Sequence, residues 1–203
     1  MYRIAVLVSG SGSNLQALID ATRDGRLHAR VELVLSDRPG VFALERARRA
    51  GITTAVVPRG RYRGRALSDR ILEVLCATAG GVDLIVLAGF LSILEGPVLE
   101  EYAGRILNIH PGPLPAFGGR GMYGIHVHRA VLEAGARESA CTVHVVDEGT
   151  DTGPVLLERR VPVEPDDTPE RLSEKVRAVE HPTLVDGVRL LATRLGLSEE
   201  APA

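Results

Sequence analysis

The stretch YRIAVLVSGSGSNLQALIDATRDG, residues 2–25, decides the fold. Its first half is a continuous aliphatic and β-branched run, the pattern of a strand buried on both faces. Its second half sets Leu15, Leu18 and Ile19 at helical spacing. Between them the glycines of SGSGSN, residues 9–14, supply a tight turn. A buried strand that runs through such a turn into a helix opens a βαβ unit.

Outward from this unit the alternation repeats. VELVLS (31–36), TAVVP (54–58), VDLIVLAGF (82–90) and RILNIH (105–110) read as strands, with helical patterns at VFALERARRAG (41–51) and ALSDRILEVLCATAG (66–80). The fold class expected is therefore α/β: a Rossmann-like, mostly parallel sheet with helices on both faces. After a Gly- and Pro-rich loop at 111–124 come a helix at 125–135, strands at 139–146 and 153–163, and a long helical region at 167–196. There Asp167 or Thr168 suits the N-cap and Pro169 the first turn. A structureless loop of that length inside a compact domain is usually functional. Only the tail, residues 198–203, is expected to be flexible.

With 203 residues, 45% hydrophobic, 25% charged and a net charge of -2, the chain belongs among ordinary globular proteins. No nucleic-acid partner is called for by that charge, and no apolar run is long enough for a membrane span. No signal-peptide pattern opens the chain, so a cytoplasmic location is expected. Cys76 and Cys141 lie in apolar runs and read as inert core residues. Lys175, the one lysine, sits in a charged helical pattern unsuited to Schiff-base chemistry.

Three constellations can carry chemistry. SGSGSN presents backbone amides and hydroxyls at a helix start, a ready site for a phosphomonoester. A dinucleotide fingerprint competes, with Asp37 as its ribose-binding acid, but Leu15 stands where that motif needs its third glycine. In NIHPGPLP, Asn108 and His110 share one face of a strand end. An amide can donate to an oxyanion there, and an imidazole can move a proton. The acidic loop DEGTDTGP, residues 147–154, can bring a carboxylate to that histidine and raise its pKa. His126 and His128 lack a third ligand at a recognised spacing, so no metal is expected.

Taken together, SGSGSN, LAGFLSIL (87–94), LNIHPGPLPAF (107–117), CTVHVVDEGTDTGP (141–154) and AVEHP (178–182) resemble the small folate-dependent phosphoribosylglycinamide formyltransferases, in order and over nearly the whole chain. The resemblance implies one formyltransferase-type domain over 1–203. Its phosphate-binding half would be 1–104, and its catalytic and folate-binding half 105–197. It implies Asn108, His110 and Asp151 as catalytic residues, and Gly12, Ser13, Asn14 and Glu180 as contacts to the ribonucleotide. It further implies a folate pocket from Arg65, Leu91, Ser92, Ile93, Leu94, Asn108, Asp147 and Glu148. The cosubstrate implied is 10-formyltetrahydrofolate and the acceptor the amine of glycinamide ribonucleotide, in purine biosynthesis. No metal is implied, and a homodimer is compatible with it. Two features depart from the family pattern: HPGPLP stands where HPSLLP is usual, and GGRGMYGIH is longer than in the shorter members.

The mechanism implied has the amine attack the formyl carbon while Asn108 and a protonated His110 donate to the oxyanion. One such donor is worth about 3 to 4 kcal/mol. Asp151 is expected to keep His110 protonated near neutral pH. Within the same superfamily a formyltetrahydrofolate hydrolase would add an N-terminal regulatory domain, and a methionyl-tRNA formyltransferase a C-terminal domain with a basic surface. Neither addition is expected here. From another class, a nucleotide- or dinucleotide-binding module remains, though it has no use for an oxyanion donor beside a proton carrier.

Overall fold

A computed structural model describes residues 1–197; the expected flexible tail lies outside the described residues. The strands are β1 (Tyr2–Val8), β2 (Ala29–Ser36), β3 (Thr53–Val56), β4 (Leu84–Leu87), β5 (Ile106–His110), β6 (Glu138–Val145) and β7 (Val155–Pro162). The helices are α1 (Ser13–Arg23), α2 (Phe42–Arg49), α3 (Arg65–Cys76), α4 (Pro97–Glu101), α5 (Ile125–Glu133) and α6 (Pro169–Arg194). The strands form one sheet in the order β3-β2-β1-β4-β5-β6-β7. The first five are parallel, and β6 and β7 add an antiparallel edge. The α/β class and the mostly parallel, doubly covered sheet expected from the alternation are both present.

The period of two along β1 divides the core between the faces of the sheet. Ile4, Val6 and Val8 pack into a cluster with Leu15, Leu18 and Ile19 of α1 and Leu184 and Val188 of α6. Ala5 and Leu7 pack on the other face with Leu67, Ile71 and Leu75 of α3 and Val98 of α4. The spacing of Leu67, Ile71 and Leu75 turns Cys76 outward, so it is exposed and only Cys141 is a core thiol. The helix α4, short and opened by Pro97, had no periodic signal at five residues. Thr168 caps α6, its hydroxyl accepting from the Arg171 N–H at 3.3 Å. Asp167 is taken instead by Lys175 Nζ at 2.6 Å.

In this order the chain reverses direction of growth between β1 and β4, and a crevice opens beyond their carboxyl ends. Backbone bonds stitch the two exits together: the Ser9 N–H donates to the Gly89 carbonyl at 3.2 Å, and the Leu91 N–H to Ser9 Oγ at 2.9 Å. Ile106, Asn108 and His110 point to the face shared with α3 and α4. Beyond Ile106, however, that face is met by loops 111–124 and 146–154.

Candidate active site

A cavity of about 690 Å³ occupies this crevice. At one end lies the turn into α1. Gly12 has φ 75°, and a Cβ there would lie 2.7 Å from Ala43 Cβ, so both conformation and space demand glycine. Ser13 and Asn14 follow in the lining, with Glu180 opposite on α6. Asn14 is buried and its Nδ2 donates to Glu180 Oε1 at 2.9 Å. Asn14 Oδ1 has no protein partner. Arg177, one turn before Glu180, also lines this end and is its exposed cation. Sequence reasoning missed Arg177; its spacing of three from Glu180 on one helix was the available signal.

Leu91, Ser92, Ile93 and Leu94 also line the cavity, on the segment after β4 that is tied to Ser9. Leu91 and Ile93 are 46% and 40% exposed, an apolar surface open to a flat ligand. Ser92 Oγ donates to Asp37 Oδ2 at 2.6 Å, and Asp37 is fully buried. The acid a dinucleotide would need at its ribose is thus spent on anchoring this segment. Two expected folate contacts are not in the lining. Arg65 opens α3 with an exposed side chain, lying over Gly96 and 3.9 Å from Asp69. Glu148 is exposed at the crest of its loop. Asp147 does line the cavity, its Oδ1 accepting from the Gly149 N–H at 3.0 Å and from Thr152 Oγ1 at 2.6 Å.

Asn108, His110 and Asp151 line the same cavity. His110 is 3% exposed; its Nδ1 lies 3.6 Å from Asp151 Oδ2, and its Nε2 lies 2.8 Å from the Phe117 carbonyl, to which it donates. Asp151 has φ 58°, a conformation that aspartate tolerates better than most residues. Its loop is pressed on the strand: a Cβ at Gly153 would lie 1.8 Å from the Val145 carbonyl oxygen. The glycines at 112 and 118 also serve close approach. A Cβ at Gly112 would meet Val127 Cγ1 at 2.5 Å and His110 Nε2 at 3.4 Å, and one at Gly118 would meet Asp151 Cβ at 3.0 Å.

Two expectations for His110 are corrected here. Burial pulls its pKa below the ordinary histidine value, and the Asp151 carboxylate and the Phe117 carbonyl only partly oppose that pull. The ring is therefore not held protonated in the ligand-free site. Nor is a ring N–H free to donate to an oxyanion, because Nε2 is engaged by Phe117 where the Pro-rich loop folds back. For Asp151, burial raises the carboxyl, but the His144 and His110 rings and the Gly119 N–H outweigh it and hold the pKa low.

Sequence reasoning also missed two histidines. His144 faces Asn108 across the β5–β6 pair, its Nε2 lying 3.0 Å from Asn108 Nδ2 and 3.5 Å from Asp151 Oδ1. Only the strand register, absent from a single sequence, reveals it. His128 is 2% exposed on α5, and its Nδ1 has no partner. Burial first, then the nearby His110 and Arg177, push its pKa down to about 4. His126 is exposed and packs edge-on to Tyr123, 5.3 Å away. Among the described residues no group of three or more His, Cys, Asp or Glu is placed to hold a metal ion.

The His128 shift carries an expected outcome for stability. Its folded pKa lies below the unfolded value of about 6.5, so unfolded chains take up a proton that folded ones refuse. This stability is complete above pH 6.5 and is lost as pH falls towards 4. Between pH 7 and 5 the loss is about 2 kcal/mol from this residue. Urea unfolding of the wild type and His128→Gln at both pH values measures it; an equal pH dependence in the two proteins refutes the assignment.

A family model described as Formyl transferase matches residues 2–188. The chain belongs to the formyl transferase family. The chain is 48% identical over 181 residues to the Trifunctional purine biosynthetic protein adenosine-3 of Drosophila melanogaster, covering 88% of this chain and 13% of that protein. It spans 13% to 19% of the trifunctional relatives it matches. It is 41% identical over 178 residues to the Phosphoribosylglycinamide formyltransferase of Escherichia coli K12, covering 88% of this chain and 81% of that one. The crystal structure of glycinamide ribonucleotide transformylase 1 from Symbiobacterium toebii superposes with a TM-score of 0.87 at 44% identity, covering 96% of this chain and 89% of that chain. No described helix of the chain is long and apolar enough to cross a membrane.

Proposed function

We propose that this chain transfers the formyl group of 10-formyltetrahydrofolate to the amine of glycinamide ribonucleotide, as one step of purine biosynthesis. The observation that carries this reading is that Asn108, His110 and Asp151 line one cavity together with a glycine-built turn at a helix start and an exposed apolar segment. The cradle at Gly12, Ser13 and Asn14 suits the phosphate, and Glu180 suits the ribose hydroxyls. The wall at 91–94 suits the folate. The long α6, which carries Glu180 and Arg177, completes the ribonucleotide end.

The amine nitrogen attacks the formyl carbon, and the carbonyl becomes an oxyanion held by the Asn108 amide. His110 enters neutral and acts as a base. The ammonium proton reaches Nδ1, the ring nitrogen that the Phe117 carbonyl leaves free, through Asp151 or a water beside it. The resulting imidazolium then faces an acceptor at each nitrogen, both already in place. These two acceptors offset part of the burial cost of the imidazolium at the moment it forms. His110 next protonates the folate nitrogen as its bond to carbon breaks and the formyl carbonyl re-forms. Anchoring the phosphate far from the reacting amine turns binding energy into orientation.

The direct test is purified protein with both substrates, reading tetrahydrofolate release and formylated ribonucleotide by mass spectrometry. Release without the formylated product would point to water as acceptor and overturn the reading. A second expected outcome concerns His110. In the ligand-free protein its imidazole, followed by NMR, titrates with a midpoint below 6.5, because burial lowers it. A midpoint above 6.5 would restore a stored proton and remove the base role.

A further inference from the structure

We infer that Arg46, on the helix α2, is a positioning residue of the anion cradle: by holding the Ser11 carbonyl it turns the Gly12 N–H towards a bound phosphate. That this phosphate belongs to the ribonucleotide rests on the proposed transfer, whereas the hydrogen-bond geometry stands without it.

A turn binds an anion through amides that share one side, with its carbonyls turned elsewhere. All three carbonyls of the turn from β1 into α1 are taken: Gly10 accepts from the Ala43 N–H at 3.2 Å, Ser11 from Arg46 Nε at 2.9 Å and Gly12 from the Gln16 N–H at 2.9 Å. The peptide bonds here are trans, so each N–H points opposite to the carbonyl of the residue before it. The amides of Ser11, Gly12 and Ser13 are thereby set against these carbonyls, and none of the three has a partner among the described residues. All three residues line the cavity. Asn14, 6% exposed and in the same lining, keeps an unpartnered Oδ1 beside them, a further polar atom for a ligand.

Two of these carbonyls are held by backbone, Gly10 by the start of α2 and Gly12 by the first turn of α1. Only the Ser11 carbonyl depends on a side chain, so its peptide is the one that a substitution releases. Arg46 is itself fixed from several sides. Its Nη1 donates to Gln16 Oε1 at 3.2 Å, its guanidinium lies 4.7 Å from the centre of the Phe42 ring, and its Cδ is 3.4 Å from where a Cβ of Gly12 would stand. The planar fork thus ties α2 to the turn and to α1. Without the Ser11 bond the peptide before Gly12 can turn over, since glycine accepts either sign of φ, and a carbonyl then faces the anion. Arg46 has no carboxylate partner among the described residues, so attraction by charge alone is the competing account.

Two variants separate the bond from the charge. Arg46→Gln places an amide nitrogen as many bonds from the backbone as Nε, keeping the donor to Ser11 and removing the charge. Arg46→Met removes both. The expected result is a KM for the ribonucleotide raised on the order of ten- to a hundredfold in Arg46→Met and no more than about threefold in Arg46→Gln, with kcat and the KM for the folate little changed. Equal losses in the two variants would assign Arg46 to attraction by charge and overturn the inference, as would wild-type values in Arg46→Met. Titration of the ligand-free protein with inorganic phosphate, followed by nitrogen-15 NMR, gives a readout independent of activity. Saturable shifts of the Ser11, Gly12 and Ser13 amides are expected in the wild type and in Arg46→Gln. Arg46→Met should lose the Gly12 shift while the rest of its spectrum keeps wild-type dispersion. A Gly12 amide that responds alike in all three proteins, or that falls silent in Arg46→Gln, overturns the inference. If the amides respond as expected and the wild type transfers no formyl group, the proposed function fails and this inference stands; if formyl transfer occurs and phosphate leaves the amides unmoved, the reverse holds.

Discussion

Asp151→Asn lowers kcat on the order of a hundred- to a thousandfold while leaving the affinity for the ribonucleotide nearly unchanged. The substitution keeps the size of the side chain, and asparagine accepts the φ of 58° at this position at least as readily as aspartate. What it removes is the charge facing His110 Nδ1 at 3.6 Å. In the wild type the imidazolium forms inside a buried site beside that charge. Taking one partner from a buried pair costs about 3 to 5 kcal/mol, because the remaining ion is left uncompensated. Here the cost falls on the state that exists only during transfer, so it enters kcat. In the proposed reading the phosphate is held by Gly12, Ser13, Asn14 and Arg177, which do not touch Asp151. Stopped-flow or steady-state kinetics with calorimetric binding of the ribonucleotide checks both halves. Unchanged kcat, or a loss confined to KM, would assign Asp151 to shaping its loop.

Asn108→Ala is expected to cost a comparable amount by a different route. It deletes the oxyanion donor, worth about 3 to 4 kcal/mol, or roughly two to three powers of ten in kcat. It also removes the buried polar contact at 3.0 Å between the Asn108 amide and His144 Nε2, at a cost of about 1 to 3 kcal/mol in stability. The signature is therefore double: slow turnover and a lower melting temperature. A variant with full stability and low kcat would mean that the His144 bond is weak, whereas one with normal kcat would remove Asn108 from the chemistry. Because Asn108 and His144 touch, the double variant should lose less than the sum of the singles.

The sheet was legible in the sequence because β1, β2, β4 and β5 are aliphatic runs separated by turn residues, and each punctuating glycine marks a real exit from a strand. The turn from β1 into α1 was legible for the same reason: Gly12, at φ 75° and pressed on Ala43, stands where only glycine fits. Asn108 and His110 followed from a period of two at a strand end. The rest depends on pairings that a linear reading cannot contain. His144 becomes part of the site only through its register with β5. The proton state of His110 depends on how completely loops 111–124 and 146–154 cover it, and burial then outweighs a neighbouring carboxylate. Arg65 was placed by its neighbours in sequence, but the first turn of α3 aims it along the protein surface towards Asp69.

The hairpin of β6 and β7 carries a local irregularity: Val143 pairs with Leu157 while His144 pairs with Val155, so Leu156 is the extra residue. An engineer raising the melting temperature would see in it a defect to be idealised by deleting Leu156. The deletion would even out the ladder and drag the loop that precedes it by one residue, withdrawing Asp151 from His110 and His144. Robustness to heat and competence for chemistry are therefore opposed at this single position, and thermostabilising effort belongs on the opposite edge of the sheet, around β3.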